Sequence, residues 1–180
     1  MTDQKIGLRD RARRERFQKF IPCNFNVILK APEIMAATTI ASYISYEVEP
    51  STVEINEAIL RAGKTLVLPR INGKELEWVA WNGDPQQLVS RKKILEPMGQ
   101  PLTDLSDVSV VIVPALRIDQ SGFRLGQGGG YYDRALPQLT AWKIGLVYAG
   151  ELTSEQLPHE EHDIPLDAAA SPSIVVRFNR

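Results

Sequence analysis

The chain has 180 residues, of which 43% are hydrophobic and 24% charged, and its formal net charge is −1. This length and composition predict one globular domain, residues 1–180, and argue against a disordered chain. The near-zero net charge and the absence of a run of about 20 apolar residues argue against a nucleic-acid binder and a membrane protein.

Residues 3–20 are predicted to form a helix on which Lys5, Arg9, Arg13 and Arg16 recur at helical spacing. This basic stripe leaves three interpretations open. It is a solvated charged face, or Lys5 and Arg9 hold an anionic ligand, or the helix is an arm that binds nucleic acid. The third lacks the interleaved aromatic or glycine residues that would support it.

Apolar segments that read as strands alternate with helical segments along the rest of the chain. Strands are predicted at residues 38–45, 64–68 (closed by Pro69), 75–81, 108–113, 143–148 and 173–178. Helices are predicted within 23–37, after a capping box of Ser51 and Glu54, over 84–90 and over 131–136. The alternation predicts an α/β fold in three layers, with a mainly parallel central sheet and helices on both faces.

The single cysteine, Cys23, cannot form an intrachain disulfide, which fits a reducing compartment. The arginine-rich start of the chain lacks the apolar core of a secretory signal. We therefore expect a cytoplasmic protein.

The most informative stretch is residues 124–134, Arg-Leu-Gly-Gln-Gly-Gly-Gly-Tyr-Tyr-Asp-Arg. A glycine run costs backbone entropy, so it implies positive φ angles or a close approach of the backbone to another group. Before a helix, such a turn presents N–H groups to an anion, and phosphate is the expected one. Arg124 and Arg134 could clamp it, and Asp133 could hold Mg²⁺ beside a nucleotide. The alternative is a tight turn with a surface salt bridge.

Two well-known phosphate motifs do not fit this stretch. A Walker loop places Lys and Ser/Thr after its last glycine, where this chain has Tyr131 and Tyr132. A Rossmann fingerprint needs glycine at the position of Tyr131 and follows the first strand of its fold. A P-loop kinase or a dehydrogenase is therefore disfavoured.

Three weaker candidates carry a structural and a functional interpretation each. Residues 46–52 follow a predicted strand, where α/β folds place ligands, but a helix cap explains Ser51 equally well. His162 and Asp163, just before a proline, form either a turn or part of a site. Trp78 and Trp81 either stack on a flat heterocycle or pack in the core.

Taken together, these segments resemble the 5-formyltetrahydrofolate cyclo-ligase family. Residues 124–134 are similar to that family's Arg-Leu-Gly-x-Gly-x-Gly-Tyr-Tyr-Asp signature. Weaker matches are Lys5-Ile6-Gly7-Leu8-Arg9, residues 46–52 with Arg61-Ala62-Gly63-Lys64 after the next helix, Glu96-Pro97, and His162-Asp163-Ile164-Pro165. The resemblance spans essentially the whole chain.

The resemblance implies a Mg-ATP-dependent enzyme that converts 5-formyltetrahydrofolate into 5,10-methenyltetrahydrofolate, ADP and phosphate. By resemblance, ATP is bound by Lys5, Arg9, Arg124, Leu125, Gly126, Gln127, Gly128, Gly129, Gly130, Tyr131 and Tyr132. Asp133 and Asp163 would hold Mg²⁺, and the catalytic set would be Arg124, Tyr132 and Asp133. No obligatory protein partner, nucleic acid or membrane is implied.

Tyr46, Glu49 and Ser51 would contact the folate by the same resemblance. The sequence departs from the family at Ser51, which stands where an acid or a proline is common. A non-catalytic folate- or nucleotide-binding protein on the same fold is the alternative function.

Overall fold

A computed structural model describes residues 3–91, 93–161 and 163–179. The α-helices are α1 (Asp3–Lys19), α2 (Pro32–Ala36), α3 (Val53–Arg61) and α4 (Tyr131–Ala135). Short 3₁₀ helices lie at Asn26–Lys30, Pro85–Gln87 and Leu136–Gln138. The strands are β1 (Thr39–Ala41), β2 (Thr65–Asn72), β3 (Glu75–Ala80), β4 (Leu88–Arg91), β5 (Ile94–Pro97), β6 (Val108–Pro114), β7 (Arg117–Asp119), β8 (Arg124–Leu125), β9 (Trp142–Leu146), β10 (Leu152–Thr153), β11 (Ala168–Ala170) and β12 (Val175–Arg177).

The centre of the molecule is a seven-stranded sheet in the order β12-β11-β9-β6-β1-β2-β3. The inner strands β11, β9, β6, β1 and β2 run parallel, and β12 and β3 join antiparallel at the two edges. The strand β6 is a nearly continuous run of valine and isoleucine because both of its faces are buried, as expected of a parallel sheet. The predicted α/β fold with a mainly parallel sheet is confirmed.

Helices cover both faces of this sheet. On one face, Phe25, Ile28 and Ile59 pack against the β2 and β6 residues Leu66 and Ile112. On the other face, a second cluster includes Leu136 and Leu139 with Val67, Val111 and Val113. Successive strand residues alternate between the two clusters because side chains point to opposite faces of a strand. The predicted three layers are therefore present.

The helix α1 belongs to neither layer. Its Ala12 packs with Leu116, Leu125 and Leu157 in a separate small cluster. Two of these leucines lie in or beside the β10-β7-β8 sheet. This placement brings α1 next to the segment 124–134.

The prediction that Pro69 closes the second strand is wrong, because β2 continues to Asn72. Val67 O accepts from Ser42 on the β1 side, and Leu66 O accepts from Trp81 on the β3 side, so successive residues alternate between neighbours. Pro69 therefore faces the β1 side, and β1 has already ended opposite Val67. The missing proline N–H removes no bond of the ladder there.

The predicted capping box is also wrong. Thr52, not Ser51, is the N-cap residue of α3, and it makes no side-chain capping bond. The Thr52 hydroxyl donates instead to Tyr43 O at 2.6 Å, and Glu54 accepts from the Asn26 side chain at 2.5 Å. The pattern thus failed at both of its positions, because Ser51 lies one residue before the N-cap and Glu54 is engaged in a tertiary contact.

Several boundaries also differ from the predictions. The first predicted strand shrinks to β1, and residues 84–90 form the 3₁₀ turn Pro85–Gln87 followed by β4 rather than a helix. The short strands β5, β7, β8, β10 and β11 had no counterpart among the predicted elements. Of these, β7 and β8 intervene between β6 and the glycines of residues 124–134.

Candidate active site

The glycine loop, residues 124–134, begins in β8 and ends in α4. Gly128 and Gly130 have φ angles of +103° and +68°, in a region that residues with a Cβ rarely adopt. A Cβ added to Gly128 would lie 3.5 Å from Arg9 Nε. The glycines therefore allow the loop to turn sharply and to lie close against α1.

The contacts made by the basic stripe of α1 distinguish among its possible roles. Its side chains join the helix to the glycine loop and to the C-terminal segment: Lys5 Nζ donates to Asp163 Oδ2 at 3.1 Å, Arg9 Nε to Gly126 O at 3.0 Å, and Arg13 Nη2 to Gln127 O at 2.7 Å. Lys5, Arg9 and Arg16 are therefore not part of a solvated face, whereas Arg13 is exposed, as that interpretation predicts. Anion binding by Lys5 and Arg9 stays a prediction, as does the nucleic-acid arm.

Arg16 anchors the helix. The residue is 5% exposed, and its guanidinium donates to the two Glu151 carboxylate oxygens at 2.8 and 2.6 Å. It also donates to Ala115 O at 2.7 Å. These bonds fix α1 on the domain and so set the reach of Lys5 and Arg9.

A cavity of about 230 Å³ collects nearly all of the predicted site residues. Its lining includes Lys5, Arg9, Tyr46, Glu49, Asp163 and every residue of the glycine loop from Arg124 to Asp133. These residues come from both ends and the middle of the chain. The structure therefore brings the predicted nucleotide, substrate and metal residues together around one space.

Arg124 and Asp133 form an ion pair across the base of the glycine loop. The Arg124 side chain is 4% exposed, whereas that of Asp133 is 37% exposed. Arg134, the other predicted clamp, is absent from the cavity lining and donates instead to Lys74 O and Gly129 O. Arg134 thus holds the loop, and Arg124 is the arginine that reaches the cavity.

Tyr132 lines the cavity with its ring edge-on to Trp78, at a centroid distance of 6.4 Å. Trp78 is itself buried in the core, which confirms its predicted packing role. The Tyr132 hydroxyl is buried and has no hydrogen-bond partner in the part of the chain that the structure describes. Burial raises the pKa of this phenol, so the hydroxyl keeps its proton and can act as a donor.

Glu49 supplies a carboxylate whose protonation changes near neutral pH. Burial raises the pKa of Glu49 to about 7, against the opposing effect of the Tyr46 backbone N–H that its side chain accepts at 3.3 Å. The Tyr148 hydroxyl donates to the Glu49 backbone carbonyl at 3.1 Å. A carboxylate with such a pKa can take up or release a proton during a reaction.

Ser51 lies apart from the other predicted residues. It is not in the cavity lining, but in a neighbouring groove with Phe20, Cys23 and Tyr148. Glu49 lines both spaces. The folate contact predicted for Ser51 therefore remains a prediction without geometric support.

The predicted metal residues, Asp133 and Asp163, both line the cavity. Among the described residues, no group of three or more His, Cys, Asp or Glu side chains could cage a metal ion. Two carboxylates beside cationic groups fit Mg²⁺ that arrives with nucleotide phosphates, because that ion needs only one or two protein carboxylates. His162, which was read with Asp163, lies outside the described residues.

The sequence analysis missed the apolar part of the lining. Pro69, Ile71, Leu76 and Ile94 form it, from β2, β3 and β5, together with the buried Glu96. Ile71 was missed because β2 was predicted to stop at Pro69. The alternation of apolar residues through Ile71 was the signal that could have found it.

No helix in the described ranges is both long enough and apolar enough to cross a membrane.

Residues 9–172 match the model of the 5-formyltetrahydrofolate cyclo-ligase family. The 5-formyltetrahydrofolate cyclo-ligase of Escherichia coli K12 is 35% identical over 152 residues, which are 80% of this chain and 83% of that protein. The enzyme of the same name from Mycolicibacterium smegmatis is 30% identical over 149 residues, 77% of this chain and 75% of that protein.

Solved structures are similar as well. The NMR structure of Aquifex aeolicus 5,10-methenyltetrahydrofolate synthetase superposes with a TM-score of 0.82 and 28% identity, covering 98% of this chain and 93% of that one. A 5,10-methenyltetrahydrofolate synthetase from Mycoplasma pneumoniae superposes with a TM-score of 0.71 and 20% identity, over 96% of this chain and all of that one. The latter likeness concerns the fold alone.

Proposed function

The chain belongs to the 5-formyltetrahydrofolate cyclo-ligase family, and on that basis we propose that it uses Mg-ATP to close 5-formyltetrahydrofolate to 5,10-methenyltetrahydrofolate. The observation that carries the proposal is the convergence of the glycine loop, the α1 cations and four carboxylates on one cavity. A two-substrate site that handles a triphosphate needs this combination of charges.

The reaction has two chemical steps. The formyl oxygen on N5 attacks the γ-phosphorus of ATP, the bond to the β-phosphate oxygen breaks, and ADP leaves. N10 then attacks the formyl carbon of the phosphorylated iminium, loses its proton, and the carbon–oxygen bond breaks to release phosphate. Phosphoryl transfer needs positioning and charge neutralisation more than a covalent protein group. The residues that line the cavity supply both.

Lys5, Arg9 and Arg124 would hold the triphosphate with the N–H groups of the glycine loop. Lys5 and Arg124 already contact the carboxylates of Asp163 and Asp133, so cations and metal-binding acids are adjacent. Mg²⁺ held by Asp133 and Asp163 would neutralise charge on the phosphate oxygens. Arg124 is almost completely buried, which strengthens its interaction with phosphate because water screens it less.

Two further residues fit the ring-closing step. The unpartnered Tyr132 hydroxyl would donate to the oxygen on which negative charge develops. Glu49 would accept the N10 proton, since its pKa of about 7 suits a general base at neutral pH. No nucleophilic serine or cysteine is required.

The decisive assay mixes the protein with 5-formyltetrahydrofolate, ATP and Mg²⁺. We expect the near-ultraviolet absorbance of the methenyl product to appear, with one ADP released for each product formed. Omission of ATP or of Mg²⁺ should abolish both signals. Tight binding of both ligands without absorbance or ADP would instead favour the non-catalytic binding protein.

The pKa of Glu49 predicts how activity depends on pH. The carboxylate must be ionised to accept a proton, so kcat/KM should rise with pH up to about 7 and then level off. Glu49→Gln should lower kcat by roughly 100-fold and remove this rise. ADP release measured across this pH range checks both effects. The exposed Glu57, which does not act on the pKa of Glu49, provides the control Glu57→Gln, which should keep the wild-type profile.

The raised pKa of Glu49 also predicts how the melting temperature of the protein depends on pH. A carboxyl group with a raised folded-state pKa favours folding at low pH, and that contribution disappears as pH rises from its ordinary value of 4.5 to about 7. Glu49→Gln should therefore melt at a higher temperature than the wild type at about pH 8 and at an equal temperature at about pH 4. Equal melting temperatures at both pH values would contradict the assigned pKa.

A further inference from the structure

Glu96 lies on the apolar part of the cavity lining, in strand β5, with its side chain 2% exposed. Its Oε1 accepts the Ile71 backbone N–H at 3.1 Å. Among the residues that the structure describes, its Oε2 has no hydrogen-bond partner. Arg91 Nε lies 3.7 Å from Oε2, beyond hydrogen-bond distance, on a side chain that is 61% exposed.

A buried carboxylate is normally supplied with donors. Asp119 illustrates this in the same molecule, since its two oxygens accept N–H groups from Ser121, Phe123 and Leu157. Glu96 has a donor on only one oxygen, and it borders the cavity. Oε2 is itself closed to solvent and has only the long ion pair with Arg91, so a bound ligand would reach it by a small turn of the Glu96 side chain toward the cavity.

The lining of this part of the cavity suits a flat ring with N–H groups on its edge. The neighbouring cavity residues Pro69, Ile71, Leu76 and Ile94 present apolar surface to its faces. Oε2 would accept one N–H of the ring edge, and the second lone pair of Oε1, which already accepts the Ile71 N–H, would accept the adjacent one.

We propose that Glu96 is a specificity-determining residue that accepts hydrogen bonds from the 2-amino group and N3–H of the pterin ring. This inference rests on the proposed function and assigns the orientation of the folate in the cavity. The pterin would lie in the apolar slot with its pyrimidine edge at Glu96. Its formyl group would then project toward the charged residues of the glycine loop.

The same chemistry separates the two substrates. Adenine presents a donor and an acceptor side by side at N6 and N1, so a carboxylate would oppose the N1 lone pair. Glu96 thus disfavours entry of the ATP base into the pterin slot. Guanine carries the same two adjacent N–H donors as the pterin. GTP is therefore the rival ligand for the Glu96 carboxylate.

Glu96→Gln tests the assignment with little change in volume. Glutamine keeps an oxygen for the Ile71 N–H and turns an amide NH₂ toward the ligand donors. We expect the Kd of 5-formyltetrahydrofolate, measured by calorimetry without nucleotide, to rise about 10- to 100-fold. The KM for ATP should not change.

A substrate analogue gives a readout that a purely structural role would not move. The 2-desamino-2-methyl form of 5-formyltetrahydrofolate should bind the wild type about 10- to 100-fold more weakly than the substrate. The Kd values of Glu96→Gln for the analogue and the substrate should agree within about a factor of two, because the variant lacks the carboxylate that recognises the 2-amino group. The control Glu77→Gln, on a β3 carboxylate paired with Arg70 outside the cavity lining, should keep the wild-type preference.

Wild-type protein that binds analogue and substrate equally would overturn the proposal without any variant. If Glu96→Gln weakened the binding of the substrate and of the analogue by the same factor, the proposal would be overturned too. A loss of affinity confined to GTP would also overturn it, because Glu96 would then recognise a guanine nucleotide. Turnover of 5-formyltetrahydrofolate by the wild type separates these results from a failure of the proposed function, in which no methenyl product forms at all.

Discussion

Asp133→Asn is expected to lower kcat for methenyl formation by about 100- to 1,000-fold while the protein remains folded. The substitution removes one negative charge from the cavity and leaves an amide oxygen that still accepts from Arg124. The Asp133 side chain is 37% exposed and the amide keeps an acceptor for the buried Arg124, so the melting temperature should fall by only about 5 °C. Product absorbance and a thermal melt on the same sample check the two expectations.

The Mg²⁺ dependence of the residual activity distinguishes two roles for Asp133. A metal ligand predicts a half-saturating Mg²⁺ concentration raised by about 10-fold. A residue that only positions Arg124 predicts reduced kcat with an unaltered Mg²⁺ requirement. The exposed Asp107, outside the cavity lining, offers the matched control Asp107→Asn, which should behave as wild type. Wild-type kcat in Asp133→Asn would remove the residue from the site.

Arg16→Met is expected to lower the free energy of unfolding by about 3–5 kcal/mol. The variant leaves Glu151, whose side chain is only 13% exposed, without its cation and Ala115 O without the Arg16 donor. Urea unfolding measures the loss. It should appear with a raised KM for ATP, since α1 also carries Lys5 and Arg9.

Arg14→Met is the control on the same helix, because Arg14 is exposed and its loss should cost at most about 0.5 kcal/mol. The double variant Arg16→Met with Glu151→Gln should lose less stability than the two single changes added together, because it leaves no unpaired buried charge. A loss under about 1 kcal/mol in Arg16→Met would show that the pair does not anchor the helix.

The parts of the fold that the sequence predicts are those that local patterns control. The valine-rich β6 and the helix-forming α1 were recognisable because burial on both faces and good helix formers each leave a clear pattern. The alanine strand β11 was not, since alanine has little strand preference. Tertiary packing explains the small residues of β11. Ala169 pairs with Gly145, and a Cβ added to Gly145 would lie 2.4 Å from an Ile118 side-chain carbon. Small residues are needed at that crowded place.

The candidate site was predicted as a set of separate motifs rather than as a geometry. The glycine loop stood out because its residues are contiguous and costly to fold. Nothing local revealed that Arg16 is buried on Glu151 while Arg9 faces Gly126, since both belong to the same periodic stripe. Glu96 was equally hidden, because its environment depends on where β2 and the β4-β5 hairpin meet.

The contact between Lys5 and Asp163 joins residues 158 positions apart. During synthesis, a chain that emerges from the ribosome has Lys5 available from the start, but its partner arrives only when more than nine-tenths of the polypeptide has been made. The inner strands β1, β2 and β6 can pair before then, whereas the Lys5 and Asp163 side of the cavity lining cannot yet form. The contact that closes this end of the cavity therefore depends on the last tenth of the chain, although the sheet beneath it is complete in its centre much earlier.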